Sequence, residues 1–183
     1  MAMVTHHRFS VAAYHRMISE GILSEDDPVE LIRGEIIEKM PVGATHAAAV
    51  KRLNRIFAGL ESVIVSVQDP ILLDDSEPEP DLALLRYRDD FYAGQKPTAA
   101  DVRLLIEVAD SSLAYDRQIK LPLYARAKIG EVWIVDLIDT QVEVYRDPNP
   151  EGDFASRSIA PRGDRLGPTA LEGWSLDVEK IFR

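Results

Sequence analysis

The chain has 183 residues, 46% of them hydrophobic, enough for one domain with a substantial core and below the length at which chains divide. Without cysteine it can build no disulfide framework, thiolate zinc site or thiol nucleophile. A formal charge of −10, from 31 acidic against 21 basic residues, repels nucleic acid at long range and argues against a DNA-coating role unless cations or metal ions gather locally.

The opening MAMVTHHRFS lacks a charged head followed by an apolar run, and no later stretch reaches the roughly 20 apolar residues that span a bilayer. A cytoplasmic, soluble protein with no membrane partner is therefore expected. Ser10 is placed to cap a helix from Val11 to Glu20, stopped at Gly21. Val29–Ile32 and Glu35–Lys39 flank Arg33-Gly34 and predict a hairpin with a two-residue turn, although arginine is unusual as a first turn residue. Thr45 is predicted to cap a core helix running from His46 toward Leu60, with Val50, Leu53, Ile56, Phe57 and Leu60 at helical spacing.

From Val63 the pattern turns to β structure: VIVSVQ, ILL, a strand from Asp81 to Leu85, a polar connector, and a strand from Val102 to Val108. RLLIEV and the later EVWIVDL are nearly continuous in apolar residues, as central strands buried on both faces are. A single helical segment at Leu113–Lys128 lies between them, which predicts a crossover and two parallel strands. Pro122 inside that segment costs about 3 kcal/mol in a regular helix, so a kink or a fresh start is expected there. Gln141–Tyr145 reads as a further strand. The remainder reads as a loop with one short strand from Asp147 to Gly173 and a terminal helix at Leu176–Phe182. Trp133 and Tyr124 read as core residues.

Chemistry concentrates between Ser76 and Lys120. Side chains alternate along Val102–Ala109, so Glu107 and Ala109 share a face and Val108 takes the other. A carboxylate within so apolar a strand is costly to bury without a cation, a proton or water. Asp81 follows the stiff EPEP run, and if its strand is antiparallel to the next, Asp81 meets Glu107. Oxygen ligands of this kind suit Mg²⁺ or Mn²⁺. A helix entering a crossover starts near the carboxyl end of the preceding strand, which brings Lys120 toward the same place. Asp81, Glu107 and the backbone carbonyl of Val108 would then hold a metal beside one ammonium. Glu35, His46 and Asp116 are candidate supporting residues, each with an equally simple structural reading at a turn, a helix start or a helix cap.

These residues resemble the PD-(D/E)xK nuclease superfamily. In order along the chain, VELIRGEIIEKMPVG, SEPEPDLALLR, LLIEVADSSLAYDRQIK and LYARAKIGEVWIVDL resemble the blocks of the bacterial Uma-two family of restriction endonuclease-like proteins. The resemblance implies a single α/β domain over residues 1–183, a restriction-endonuclease-like αβ sandwich with a mixed, curved sheet flanked by helices. It also implies a Mg²⁺- or Mn²⁺-dependent endonuclease acting on DNA, in preference to RNA, and a possible homodimer. Asp81, Glu107 and Lys120 would be the catalytic residues. Ala109 stands where the superfamily carries its strand lysine, and the resemblance implies that Lys120 replaces it from the following helix. Lys128 stands where relatives usually carry glycine. Two rivals accompany this reading: a non-catalytic dimeric interaction module built on a degenerate nuclease fold, and a nuclease acting on RNA.

Overall fold

The structure, a computed structural model, describes residues 6–183; residues 1–5, part of the start read above as leaderless, lie outside it. α1 (Val11–Ser19) begins where Ser10 accepts a hydrogen bond from the Ala13 amide at 3.1 Å, and the chain leaves it at Gly21 with φ +70°. β1 (Val29–Ile32) and β2 (Glu35–Glu38) form the expected hairpin, with both turn residues in the left-handed region, Arg33 at φ 50° and Gly34 at 76°. Two consecutive positive φ values match the strand twist.

α2 (Ala44–Phe57) starts earlier than expected. Gly43, not Thr45, is its N-cap, and no side chain caps it. The predicted apolar face is real: Ala49, Val50, Leu53 and Phe57 are buried. β3 (Val63–Ser66) and β4 (Leu82–Arg86) come next. The ILL segment between them is no strand; Leu72 makes one isolated bridge to Thr98. Its neighbours Ile71 and Leu73 are buried individually, which explains the apolar run without a ladder.

β5 (Val102–Ala109) pairs antiparallel with β4 and parallel with β6 (Glu131–Asp136), as the crossover required. β7 (Gln141–Pro148) and β8 (Phe154–Pro161) complete a six-stranded mixed sheet in the order β3-β4-β5-β6-β7-β8. β8 corrects the loop expected after Asp147. It is an edge strand in which only Phe154 and Ala160 are buried, so it carries little apolar alternation to read. The terminal helix is also shorter than expected: β9 (Arg165–Leu166) pairs with β10 (Leu176–Asp177), and the last helix, numbered α5, covers only Glu179–Phe182.

Between β5 and β6 the chain passes through α3 (Leu113–Tyr115), a π-helical turn (Asp116–Lys120) and α4 (Leu121–Arg126). Pro122 falls at the first positions of α4. Its missing N–H therefore lies at the π-to-α junction, where a proline is best tolerated.

Two apolar layers sandwich the sheet. Leu104, Ile106 and Val108 pack with Leu53, Phe57 and Trp133 under α2 and α5. Leu105 and Ala109 pack with Leu121, Leu123 and Tyr124 of α4 on the opposite side. The alternation read for Val102–Ala109 thus holds, and Glu107 emerges on the α4 side.

Candidate active site

Antiparallel pairing sets Leu82 opposite Ile106, so the residues just beyond, Asp81 and Glu107, stand side by side. Two main-chain contacts fix them. The Asp81 amide donates to Glu107 Oε2 at 3.3 Å, and the Val108 amide donates to Asp81 Oδ2 at 2.8 Å. Each carboxylate is therefore held by the strand that carries the other.

Lys120 enters from the π turn. Its Nζ lies 3.2 Å from Glu107 Oε1 and 3.4 Å from Glu30 Oε2, and the residue is buried. Asp81, Glu107 and Lys120 are thus assembled from three elements distant in sequence. A π turn adds a residue to the helical turn and rotates every later side chain about the axis, a feature frequent at functional sites.

Glu30 was not singled out by sequence reasoning. It is 2% exposed and accepts from the Tyr115 hydroxyl at 3.3 Å and the Glu79 amide at 3.2 Å as well as meeting Lys120. The available signal was the one used for Glu107: an acidic residue within an apolar strand, here VELI. Glu35, the residue considered in its place, lies at the turn end of β2, beside Arg8 at 3.4 Å and away from Lys120. Tyr124 was read only as core. It is buried, but its hydroxyl donates to Glu107 Oε1 at 2.5 Å.

His46, in the first turn of α2, places Nε2 2.9 Å from Asp81 Oδ2, while its buried Nδ1 has no hydrogen-bond partner. Gln68, read as a turn residue, adds a contact from Nε2 to Asp81 Oδ1 at 3.3 Å. Asp116 is buried and accepts from the Ser112 hydroxyl at 2.7 Å.

Electrostatics follow from burial and crowding. Burial pushes the Glu107 carboxyl up to about 8; Asp116 and Asp81 add to this, while Lys120 opposes it. Asp116 is pushed up to about 6, again first by burial, against the help of the Ser112 hydroxyl and Lys120. Burial alone would lower the Lys120 ammonium, but Glu107, Glu30, Asp116 and Asp81 together hold its pKa above the ordinary lysine value. The Asp81 hydrogen bond raises His46 despite its burial, and the Val108 main chain contributes in the same direction.

Four carboxylates therefore surround one ammonium and one imidazole. Fully ionised, the cluster carries an excess of about two negative charges, which matches a divalent cation. Among the described residues no three His, Asp or Glu side chains stand close enough to enclose an ion by themselves. The donor set nevertheless fits an open magnesium-type site, which takes one or two carboxylates and leaves its other positions to water and phosphate oxygens.

A six-stranded mixed sheet sandwiched by helices is a restriction-endonuclease-like fold. The Uma2 family, described as "Putative restriction endonuclease", matches residues 11–179, and the chain belongs to it. The fold is also that of a protein from Anabaena variabilis ATCC 29413, described as "a putative nuclease belonging to DUF820". The two are 16% identical with a TM-score of 0.69 over 95% of this chain and 97% of that one. No curated protein matches the chain.

Proposed function

We propose that the protein is a metal-dependent endonuclease that hydrolyses phosphodiester bonds in DNA. The observation that carries this reading is the convergence of Asp81, Glu107 and Lys120, with Glu30 behind the lysine. Asp81, Glu107 and the Val108 carbonyl would hold Mg²⁺ or Mn²⁺. Such an ion, when bound, supplies Lewis-acid polarisation of the phosphate and a water of lowered pKa.

The protein's own groups have separate tasks. Val108 N–H and His46 orient Asp81. Tyr124 and the Asp81 amide fix Glu107 from both carboxylate oxygens. Lys120 places a fixed positive charge beside Glu107, where it can stabilise charge building on the phosphoryl oxygens. Glu30 gives that ammonium its second carboxylate contact. Family membership supports a nuclease, and the carboxylate excess supports a divalent ion. DNA as the substrate rests on the family description.

The test combines binding with turnover. Mn²⁺ is titrated calorimetrically into wild type, Asp81→Asn and Glu107→Gln, each checked for folding by circular dichroism, and nicking of supercoiled plasmid is followed in Mg²⁺ or Mn²⁺ against EDTA. Saturable binding and nicking, both lost in the two variants, are expected. A folded wild type that neither binds Mn²⁺ with a short duplex present nor nicks DNA would refute the proposal and favour the interaction module. Cleavage of RNA alone would replace the substrate and keep the site.

A further inference from the structure

A second cavity among the described residues lies apart from this site. It is a cleft of about 860 Å³, open to solvent, between the turn of the β1–β2 hairpin, the 74–75 turn and the carboxyl end of α4. That volume is within the range of small-molecule sites, about 300–1,000 Å³. Arg33, Arg126 and Lys128 reach it from two separate segments, and Asp74 and Asp75 line it from a third. Leu123 contributes to an apolar floor.

Asp74, Asp75, Arg126 and Lys128 are exposed and Arg33 is half-buried, so each is open to water and to a ligand entering the cleft. Among the described residues neither Arg33, Arg126 nor Lys128 pairs with a carboxylate within 4.0 Å, although a chain of net charge −10 offers many. The Arg126 guanidinium lies against Gly152 and makes a 3.4 Å contact from Nη2 to the Glu151 carbonyl, with no carboxylate partner. Lys128 is held at φ 62°, a conformation that glycine adopts without strain. The chain thus keeps a cation where its backbone favours a residue with no side chain.

We infer that this cavity is a binding site for a nucleoside monophosphate. The phosphate would meet Arg126, Lys128 and Arg33, and the base would lie on the apolar floor by Leu123. Asp74 and Asp75 would accept from ribose hydroxyls or base amino groups. A simple polyanion fits poorly, because those two carboxylates would repel it. A purely apolar ligand would make no use of the three cations that line the cleft. The assignment does not rest on the nuclease reading, since none of its residues belongs to the candidate active site.

The test is calorimetric titration of the full chain with AMP and GMP, beside adenosine, guanosine and inorganic phosphate. The variants are Lys128→Gly, Arg126→Gln and, as a control, Asp81→Asn. Saturable binding of a nucleotide is expected, with nucleoside and phosphate each much weaker. Lys128→Gly should weaken it on the order of tenfold. That variant relieves backbone strain, so its melting temperature should hold or rise, which separates lost binding from lost folding. Asp81→Asn should bind as wild type does, so the failure of one site is distinguishable from the failure of the other. A 5′-phosphorylated tetranucleotide that binds as tightly as the mononucleotide would place a strand end in the cavity; one that does not would leave the free nucleotide. Absence of saturable nucleotide binding at millimolar concentration, binding indifferent to Lys128→Gly and Arg126→Gln, or phosphate binding as tightly as nucleotide would overturn the assignment.

Discussion

Replacing Glu107 with glutamine should make the metal-free protein more stable at alkaline pH. In the folded chain the Glu107 carboxyl is pushed from 4.5 up to about 8, chiefly by burial. The native state therefore holds a proton that the unfolded state has already released, and stability falls as pH rises through this interval. The contribution is fully present below about pH 4.5 and gone above about pH 8. A carboxyl whose midpoint moves from 4.5 to about 8 changes stability by on the order of 5 kcal/mol across the interval. Glutamine keeps the acceptor for the Tyr124 hydroxyl and has no proton to lose, while Lys120 retains Glu30. Urea unfolding of wild type and Glu107→Gln in EDTA, followed by circular dichroism from pH 5 to 8.5, should give similar stabilities at the acid end. The curves should diverge as the wild type weakens. Parallel curves across the whole range would refute the account of a carboxylate buried at a net electrostatic loss. Mn²⁺ should restore the wild type at pH 8.5 and leave the variant unchanged.

Lys120→Met removes the ammonium shared by Glu107 and Glu30, so DNA nicking should disappear. Unfolding at pH 8.5, where Glu107 is ionised, should show a loss of about 3 kcal/mol or more, and the loss should be smaller at pH 5. Gly34→Ala tests the hairpin turn that presents Arg33: an added Cβ would lie 2.8 Å from Arg8 Cβ and 2.9 Å from the Phe9 carbonyl oxygen at φ +76°. A loss of about 2 kcal/mol in urea unfolding is expected, against about 1 kcal/mol for Gly21→Ala, whose surroundings are open.

Where a segment's own pattern decided its structure, the sequence was readable. The alternation of Val102–Ala109 assigned Glu107 to its face, and the crossover argument brought Lys120 toward it. The hairpin was legible because Arg33-Gly34 separates two apolar runs by a two-residue turn. The segments that failed are those whose stability comes from elsewhere. β8 is ordered by its ladder to β7 and buries only two side chains. ILL is apolar because single residues reach the core, not because they form a strand. Glu30 was passed over because nothing in its hairpin shows that Lys120 and Tyr115 cover it from the first turns of the crossover after β5. No local pattern records that approach.

The absence of a lysine two residues after Glu107 has a physical reason in this chain. Ala109 is fully buried in the apolar layer under α4 and stands opposite Asp136 in the register with β6. A lysine there would have to displace packed side chains to reach the carboxylates. The helix offers another route, but only at one angular position. Each residue in an α-helix turns the side chain by about 100°. Removing the residue that the π turn adds would therefore swing Lys120 away from Glu107 and Glu30 by about that angle. The π turn at Asp116–Lys120 and Pro122 immediately after it belong to one solution. The first aims the ammonium at the carboxylates, and the second falls where α-helical hydrogen bonding resumes. The proline that reads as a blemish in a regular helix thus marks the junction beyond which the chain needs only to pack, through Leu123 and Tyr124, against the sheet.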